Sequence, residues 1–422
     1  MLLSKFMKGT LRWYVCALLF AATVLNYVDR QVFSILAPDL QRDIGWSELD
    51  YGRIVIAFQL SYAICYIASG RVVDRIGTKL GYSIAVVWWS LAEMAHALAR
   101  NPVGFGVARF FLGAGEAANF PTAMKAISEW FPRSERGLAT GIMNGAPTVG
   151  AILAPIVVPL VAASYGWRGT FILTGAAGLV WLIAWRVLYH RPELHPRISR
   201  EELELIQEGR GAARAENVPW RQLLGYRQTW AVGVGKLLAD PAWFFYLYWL
   251  PKFLAQEHGL RGTKVIPYLT VVYAMSGLGS VTGGYVSSAL IRRGWTLNRA
   301  RKVPMAASAL LMPVVVLASM TRDPWTAVLL IGLATAAHQS WSSLVFTLGT
   351  DLFPSRALAS VTGLAGGLGS FATILFAEFT GRILQGNASL YLPMFIACGS
   401  MYLVAWMIIH LLAPKLEPVV MD

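Results

Sequence analysis

Residues 70–79 read GRVVDRIGTK and separate two long apolar runs. A glycine at position 70 permits two helices to approach closely, because it has no side chain to hold them apart. Asp74 can cap or pair with the end of a neighbouring helix. Arg75 adds positive charge, which collects in cytoplasmic loops of membrane proteins. The stretch therefore predicts a tight turn between two membrane helices on the cytoplasmic side.

The composition of the whole chain indicates a membrane protein. Of its 422 residues, 56% are hydrophobic and 14% are charged, whereas a soluble protein carries about a quarter charged residues. The net charge of +13 does not indicate nucleic-acid binding, because the basic residues cluster in short segments between apolar runs. The three cysteines lie inside apolar runs without metal-ligand spacing. We expect no nucleic acid, no metal and no cofactor.

Twelve stretches are apolar enough to span a bilayer, which takes about 20 residues each. The longest polar interval, 190–227, divides them into six plus six, and we expect it simply to link the halves. The predicted domains are a bundle at 1–189, this linker and a bundle at 228–422. The predicted spans are 13–37, 52–73, 80–99, 103–128, 137–162, 168–189, 228–254, 265–290, 303–320, 325–348, 358–382 and 390–412.

The distribution of Lys and Arg predicts the orientation. With the N-terminus inside, the cytoplasmic tails and loops hold 23 of these residues and the opposite loops hold 9. Cytoplasmic loops carry the excess, so both termini are expected in the cytoplasm. Glu93, His96 and Glu378 lie near predicted outer ends of their spans, where we expect water to reach them.

An internal repeat supports the division into halves. EWFPRSERGLATGIMNGAPTVG (129–150) is similar to DLFPSRALASVTGLAGGLGS (351–370), with Pro132, Gly141 and Gly145 matched at an offset of 222. Parallel repeats of six helices are a transporter architecture, with the substrate site near the midplane. The repeat therefore predicts a transporter.

Three predicted spans contain pairs of charged residues. Charge at bilayer depth costs several kcal/mol unless it is paired or faces water, so it marks a transport pathway by default. A single pathway built from several spans is the simplest prediction. The pairs are Asp29 and Arg30 in the first span, Arg109 and Glu116 in the fourth, and Lys236 and Asp240 in the seventh.

The spacing within each pair predicts its partners. Arg109 and Glu116 share a helix face but lie about 10.5 Å apart along the axis, so they need partners elsewhere. We expect Asp29 to face Arg109, and Arg30 to face Glu116 or the substrate. Lys236 is a further candidate substrate contact; alternatively, Lys236 and Asp240, at i and i+4, can satisfy each other as a local salt bridge.

The kinds of charged residue in these spans suggest what the site binds. Two arginines suit an anionic substrate, because a guanidinium grips a carboxylate through two hydrogen bonds. Two carboxylates in a semi-dry cavity suit proton coupling. Asn26 shares a face with Arg30, and Tyr27 lies one turn back from it, so both are candidate substrate contacts.

The repeat offset places a second polar cluster at the depth of Glu116. Position 116 plus 222 is His338, and Gln339 and Trp341 follow closely. Amide and hydroxyl groups beside an indole suit recognition of sugar hydroxyls and stacking on a sugar-like skeleton. A structural hydrogen bond is the alternative for the histidine. We expect this stretch to line the cavity.

These motifs carry a family resemblance that covers nearly the whole chain. GRVVDRIGTK resembles the cytoplasmic signature loop of the major facilitator superfamily. With NYVDR (26–30) and RFFLGAGEAANFP (109–121), it resembles the anion:cation symporter family. KLLADPAWFFYLYWLPKFL (236–254) and HQSWSSLVFTLGTDLFPSRALASVTGLAG (338–366) are most similar to bacterial hexuronate transporters. The implied fold is all-α, with twelve transmembrane helices in two six-helix bundles, the major facilitator fold.

The resemblance also implies roles for individual residues. Asp29 and Glu116 correspond to proton-coupling acids, and Arg30 and Arg109 to residues that handle the substrate carboxylate. Tyr62 matches a cavity tyrosine of the family. Structural or gating roles are implied for Gly70, Asp74, Arg75, Gly77 and Asp240.

The expected function is proton-coupled import of a sugar acid by alternating access. Galacturonate or glucuronate is the expected substrate, and a symporter of another organic anion (an aldonate, aldarate or aromatic carboxylate) is the alternative. We expect a monomer in the lipid bilayer of a bacterial inner membrane. A membrane enzyme is not expected, because the sequence contains no metal cluster, nucleophile elbow or cofactor loop.

Overall fold

The computed structural model describes residues 11–207, 218–260, 262–384 and 391–421, and within these ranges it is helical without a β-strand. The predicted all-α class is confirmed. The α-helices are α1 (Leu11–Ile44), α2 (Glu48–Ile76), α3 (Thr78–Ala95), α4 (Pro102–Glu116), α5 (Asn119–Trp130), α6 (Arg133–Leu188), α7 (Arg200–Gln207), α8 (Trp220–Gly225), α9 (Arg227–Leu237), α10 (Asp240–Glu257), α11 (Ile266–Arg292), α12 (Leu297–Leu311), α13 (Pro324–Leu352), α14 (Ser355–Leu384) and α15 (Tyr391–Leu412).

Each of the twelve predicted spans overlaps one of these helices or two consecutive segments. By length and composition, seven described helices are apolar enough to cross a membrane. One of them, the 56-residue α6, contains two predicted spans. They meet at Gly166, whose φ of 68° interrupts the helix, a conformation that glycine adopts without steric cost.

The fourth and seventh predicted spans are each broken near their charged residues. Two residues separate α4 from α5, and two separate α9 from α10. Pro121 and Pro241 follow the breaks, and proline has no N–H to donate to the carbonyl four residues earlier. At the first break that carbonyl, on Ala117, accepts a hydrogen bond from the Ser69 hydroxyl at 3.2 Å instead. Broken helices expose backbone groups where membrane transporters bind their substrates.

The helices form two compact units. One comprises the described residues of Met1–Pro132, Val149–Asn217 and Pro354–Gly367. The other comprises those of Arg133–Thr148, Val218–Phe353 and Leu368–Asp422. We call them the first and second units; the sequence-based boundaries at 189 and 228 remain a prediction.

The 70–79 stretch tightens the first unit, as its residue types predicted. The Asp74 carboxylate accepts hydrogen bonds from Lys125 Nζ at 2.8 Å and from the backbone N–H of Ser360 at 2.7 Å. It therefore binds the backbone of α14 about one turn after the helix begins. Gly70 packs directly on the backbone of Ala359, leaving no space for a Cβ atom. Asp74 thus pairs with neighbouring helices and Gly70 lies in close contact with α14, while their structural or gating roles in transport stay a prediction.

The remaining signature residues form the turn itself. Gly77 joins α2 to α3 with φ 85°, and its N–H bonds the carbonyl of Val73 at 2.9 Å. Arg75 is exposed and makes no hydrogen bond or ion pair with the described residues. Its charge therefore faces outward from the first unit.

The predicted linker does more than join two halves. Within it, the buried Glu202 of α7 accepts hydrogen bonds from the backbone N–H groups of Leu11 at 3.3 Å and Arg12 at 3.2 Å, and from Arg12 Nη1 at 3.0 Å. A carboxylate is stabilised at a helix N-terminus by unpaired N–H groups and the positive end of the dipole. Helix α7 therefore docks on the start of α1, and the role of 190–227 as a link between the halves stays a prediction.

Candidate functional site

Seven of the proposed site residues come from α1, α2 and α4 of the first unit. Helix α1 contributes four of them from residues 26–30. On α4, Glu116 lies two turns beyond Arg109, at the point where the helix breaks. All seven are buried except the half-buried Tyr27 and Arg30. They are Asn26, Tyr27, Asp29 and Arg30 on α1, Tyr62 on α2, and Arg109 and Glu116 on α4.

Arg30 and Glu116 form the ion pair that the sequence predicted. Arg30 donates from Nε at 3.0 Å and from Nη2 at 2.8 Å, and both bonds go to Glu116 Oε2. The guanidinium also lies over the rings of Tyr27 and Tyr62, at 4.6 and 4.7 Å from their centroids. Aromatic faces stabilise a cation that has lost much of its water.

Arg109 is buried and pairs with no carboxylate in the part of the chain that the structure describes. Its Nη2 donates a hydrogen bond to the backbone carbonyl of Arg30 at 3.1 Å. Nε and Nη1 have no hydrogen-bond partner among the described residues. The guanidinium lies 4.8 Å from the centroids of both Phe33 and Phe58. Because arginine keeps its charge in proteins, these open donors form a ready site for an anion.

Asp29 does not contact Arg109, so that predicted pairing is wrong. Asp29 is 1% exposed, and neither of its carboxylate oxygens has a partner in the described part of the chain. The neighbouring Asn26 side chain is similarly buried and unbonded. Arg109 is instead held by the Arg30 carbonyl and by aromatic rings. A carboxyl in this setting avoids the cost of an unpaired buried charge by holding a proton.

The second unit contains the other candidate residues. Lys236 Nζ and Asp240 Oδ1 are 2.7 Å apart across the α9–α10 break, and both side chains are largely buried. Lys236 also lies 4.6 Å from the ring centroid of Phe346. The local salt bridge that the i, i+4 spacing allows is therefore formed.

His338 of α13 has a defined tautomer. The Tyr402 hydroxyl donates its one proton to the carbonyl of Ala239 at 3.0 Å, so it accepts from His338 Nδ1–H in a short hydrogen bond. The imidazole Nε2 is then an acceptor, and it has no hydrogen-bond partner among the described residues. Trp243 stacks on the imidazole with ring centroids 5.2 Å apart. This pair offers an acceptor and an aromatic face.

Gln339 and Trp341 are engaged within the protein. Trp341 is fully buried and donates its indole N–H to the carbonyl of Gly235 at 3.0 Å. Gln339 accepts from the Asn144 amide at 2.8 Å. These contacts favour packing and positioning roles over direct stacking on a substrate.

The sequence analysis misplaced two ionisable residues of the first unit. Glu93 on α3 and His96, which follows the end of α3, were expected to be reached by water, but both are fully buried. Glu93 lies two turns inside the end of the predicted span, and this depth is the feature of the sequence that could have indicated its burial. Phe33 and Phe58, which flank Arg109, were also missed, because phenylalanine is common in any apolar helix.

The comparisons with known proteins agree with this architecture. A family model described as Major Facilitator Superfamily matches residues 19–377. The chain is 33% identical to a hexuronate transporter of Escherichia coli K12, covering 89% of this chain and 88% of that one. It is 34% identical to a galacturonate transporter of Dickeya chrysanthemi, covering 72% and 90%.

A solved proton:xylose symporter has the same fold, with a TM-score of 0.75 at 17% identity and 95% of each chain covered. The predicted fold class, twelve transmembrane helices in two six-helix bundles, is therefore confirmed. The family and its relatives are transporters, so the chain is a multi-pass membrane transporter and not an enzyme. The chain belongs to the major facilitator superfamily.

Proposed function

We propose that the protein imports a hexuronate, such as galacturonate or glucuronate, together with protons by alternating access. The observation that carries the proposal is Arg109, a buried guanidinium with two unbonded N–H positions between two phenylalanine rings. A carboxylate there would restore hydrogen bonds to an arginine that cannot lose its charge. The similarity to hexuronate and galacturonate transporters supports this substrate class.

The roles of the acids follow from their bonding. Glu116 pairs with Arg30 through one oxygen, whereas Asp29 is buried without a partner among the described residues. Both are placed to carry protons, because substrate arrival changes the charge around them. A ligand moves a conformational equilibrium only by its differential affinity for the two states. Protonation of these acids is the proposed source of that difference.

His338 of the second unit is proposed as a contact for a substrate hydroxyl. Its Nε2 is an acceptor fixed by Tyr402, and Trp243 stacks on its ring. A hydroxyl donor on the sugar acid matches this acceptor. Lys236 and Asp240 hold the α9–α10 break through their salt bridge, while Gln339 and Trp341 position α13.

Gly70, Asp74, Arg75 and Gly77 shape the turn between α2 and α3, and Asp74 joins it to the backbone of α14.

We further propose that the carrier is a monomer in a bacterial inner membrane with both termini in the cytoplasm. Uptake into proteoliposomes tests the function, with galacturonate, glucuronate, galactonate, glucarate and neutral xylose under imposed proton or sodium gradients. The proposal predicts accumulation of a hexuronate driven by an inward proton gradient, with little uptake of xylose. Sodium-driven uptake, or a clear preference for an aldonate or aldarate, would contradict it.

A further inference from the structure

One further buried acid of the first unit lies outside the predicted site. Glu93 of α3 has no exposed surface. One carboxyl oxygen, Oε1, accepts a long hydrogen bond of 3.4 Å from the Thr174 hydroxyl. The other, Oε2, has no hydrogen-bond partner among the described residues.

The adjacent histidine does not neutralise this acid. His96 Nδ1 is 3.8 Å from Glu93 Oε2, which is too far for a hydrogen bond. Nδ1–H is already donated to the carbonyls of Ala92 at 2.9 Å and Glu93 at 3.1 Å. The imidazole stacks on Phe171 with centroids 4.8 Å apart, beside an apolar cluster. A carboxylate here would be a nearly unsatisfied buried charge.

The charged groups that act on Glu93 belong to the proposed transport site. They are Asp29 on α1 and Arg109 and Glu116 on α4. Ring contacts connect Arg109 with the histidine beside Glu93: the guanidinium lies 4.8 Å from the ring centroid of Phe33, and the Phe105 centroid lies 6.2 Å from that of Phe33 and 6.0 Å from that of His96.

The site holds two cations, Arg30 and Arg109, and Arg30 is paired with Glu116. Arg109 is the other cation, and its Nε and Nη1 have no hydrogen-bond partner among the described residues.

We propose that Glu93 is a proton-carrying positioning residue that competes with the substrate carboxylate for the charge of Arg109. When Glu93 holds a proton, Arg109 is left as an uncompensated cation and binds the substrate anion. When Glu93 loses its proton, its negative charge offsets Arg109 and weakens substrate binding. This role rests on the proposed function, because it assumes that Arg109 receives the substrate carboxylate.

The test is the pH dependence of galacturonate binding by the purified, full-length protein in nanodiscs. Binding is measured from about pH 6 to about pH 8.5, and a fall in wild-type affinity with rising pH is the expected signature of proton loss from Glu93. Glu93→Gln keeps the group neutral, so its affinity should be about tenfold higher than wild type at the upper pH and similar at the lower. The exposed acid variant Glu378→Gln is the matched control and should follow wild type.

The outcomes separate this inference from the proposed function. If wild type binds no hexuronate at any pH, the proposed substrate is wrong and this role falls with it. If wild type binds but Glu93→Gln follows it at every pH, or is weaker at every pH, only the role of Glu93 is refuted. Should Glu93→Gln not fold, Thr174→Val removes the one donor to the carboxyl and is expected to flatten the pH profile in the same direction; an unchanged profile overturns the proposal.

Discussion

Arg30 donates two hydrogen bonds to one oxygen of Glu116, and the other oxygen, Oε1, has no partner among the described residues. A proton can therefore add at Oε1 without displacing Arg30 from Oε2. Protonation would leave the geometry in place while removing the charge that holds the pair together. The pair is thus built to weaken on protonation, which is what a coupling acid beside a substrate-binding arginine requires.

The first prediction concerns Arg109. Arg109→Ala should weaken hexuronate binding by about 2 kcal/mol or more, or about 30-fold in Kd, because a buried anion loses its charged partner. Arg109→Lys should recover only part of this loss, since an ammonium lacks the planar fork. Isothermal titration measures both variants. Arg53→Ala, an exposed arginine paired with Asp50, is the control, and near-normal affinity in Arg109→Ala would refute the assignment.

The second prediction concerns the acceptor on His338. A hexuronate lacking the matching hydroxyl should bind the wild type about tenfold more weakly, because the acceptor is left unpaired. His338→Asn lacks Nε2, so it should bind the natural and deoxy compounds equally. Binding of a monodeoxy hexuronate series to both proteins completes a double-mutant cycle. Additive losses for every deoxy compound would exclude a hydroxyl contact at this nitrogen.

The third prediction concerns the docking of α7 on α1. Glu202→Gln removes the charge that three donors share, and should lower the free energy of unfolding by about 1–3 kcal/mol. Glu204→Gln is the matched control, since Glu204 is 64% exposed and pairs only with the exposed Arg200; such surface pairs contribute little. Thermal unfolding in detergent compares the two. Equal melting temperatures would show that the docking contributes no stability.

The fourth prediction concerns close packing at Gly70. Gly70→Ala should reduce stability and transport, because the added Cβ would overlap the backbone of Ala359. Gly52→Ala lies on the same helix with open space at its Cβ, so it gains helix propensity without a clash. Melting temperature and uptake rate are the readouts. A Gly70→Ala protein as stable and active as Gly52→Ala would contradict the packing.

The residues that sequence reasoning placed correctly are those fixed by local pattern. Apolar length predicts spans, and the Arg109–Glu116 spacing showed that each needs a partner from another helix. Asp74 was expected to cap or pair with a neighbouring helix end because it stands at the end of an apolar run, and it binds Lys125 and the backbone of α14. Each of these inferences needs only the geometry of one helix and the cost of buried charge.

The residues that were misplaced depend on how helices are rotated and how deeply they pack. Asp29 was paired with Arg109 because their charges are opposite. In the structure the guanidinium of Arg109 packs against the rings of Phe33 and Phe58 instead. Glu93 was assigned to water from its position in the span, yet α6 supplies Thr174 to cover it. Glu202 sits in a charged linker, and nothing in its sequence specifies which helix end it caps.

Transport by Glu116→Gln shows whether Glu116 carries the coupling proton beside Arg30. Proteoliposomes containing this variant are compared with wild type in two assays: accumulation of hexuronate under an inward proton gradient, and exchange of preloaded hexuronate without a gradient. The account predicts that accumulation is abolished and exchange is largely retained. Full gradient-driven accumulation by Glu116→Gln would contradict it.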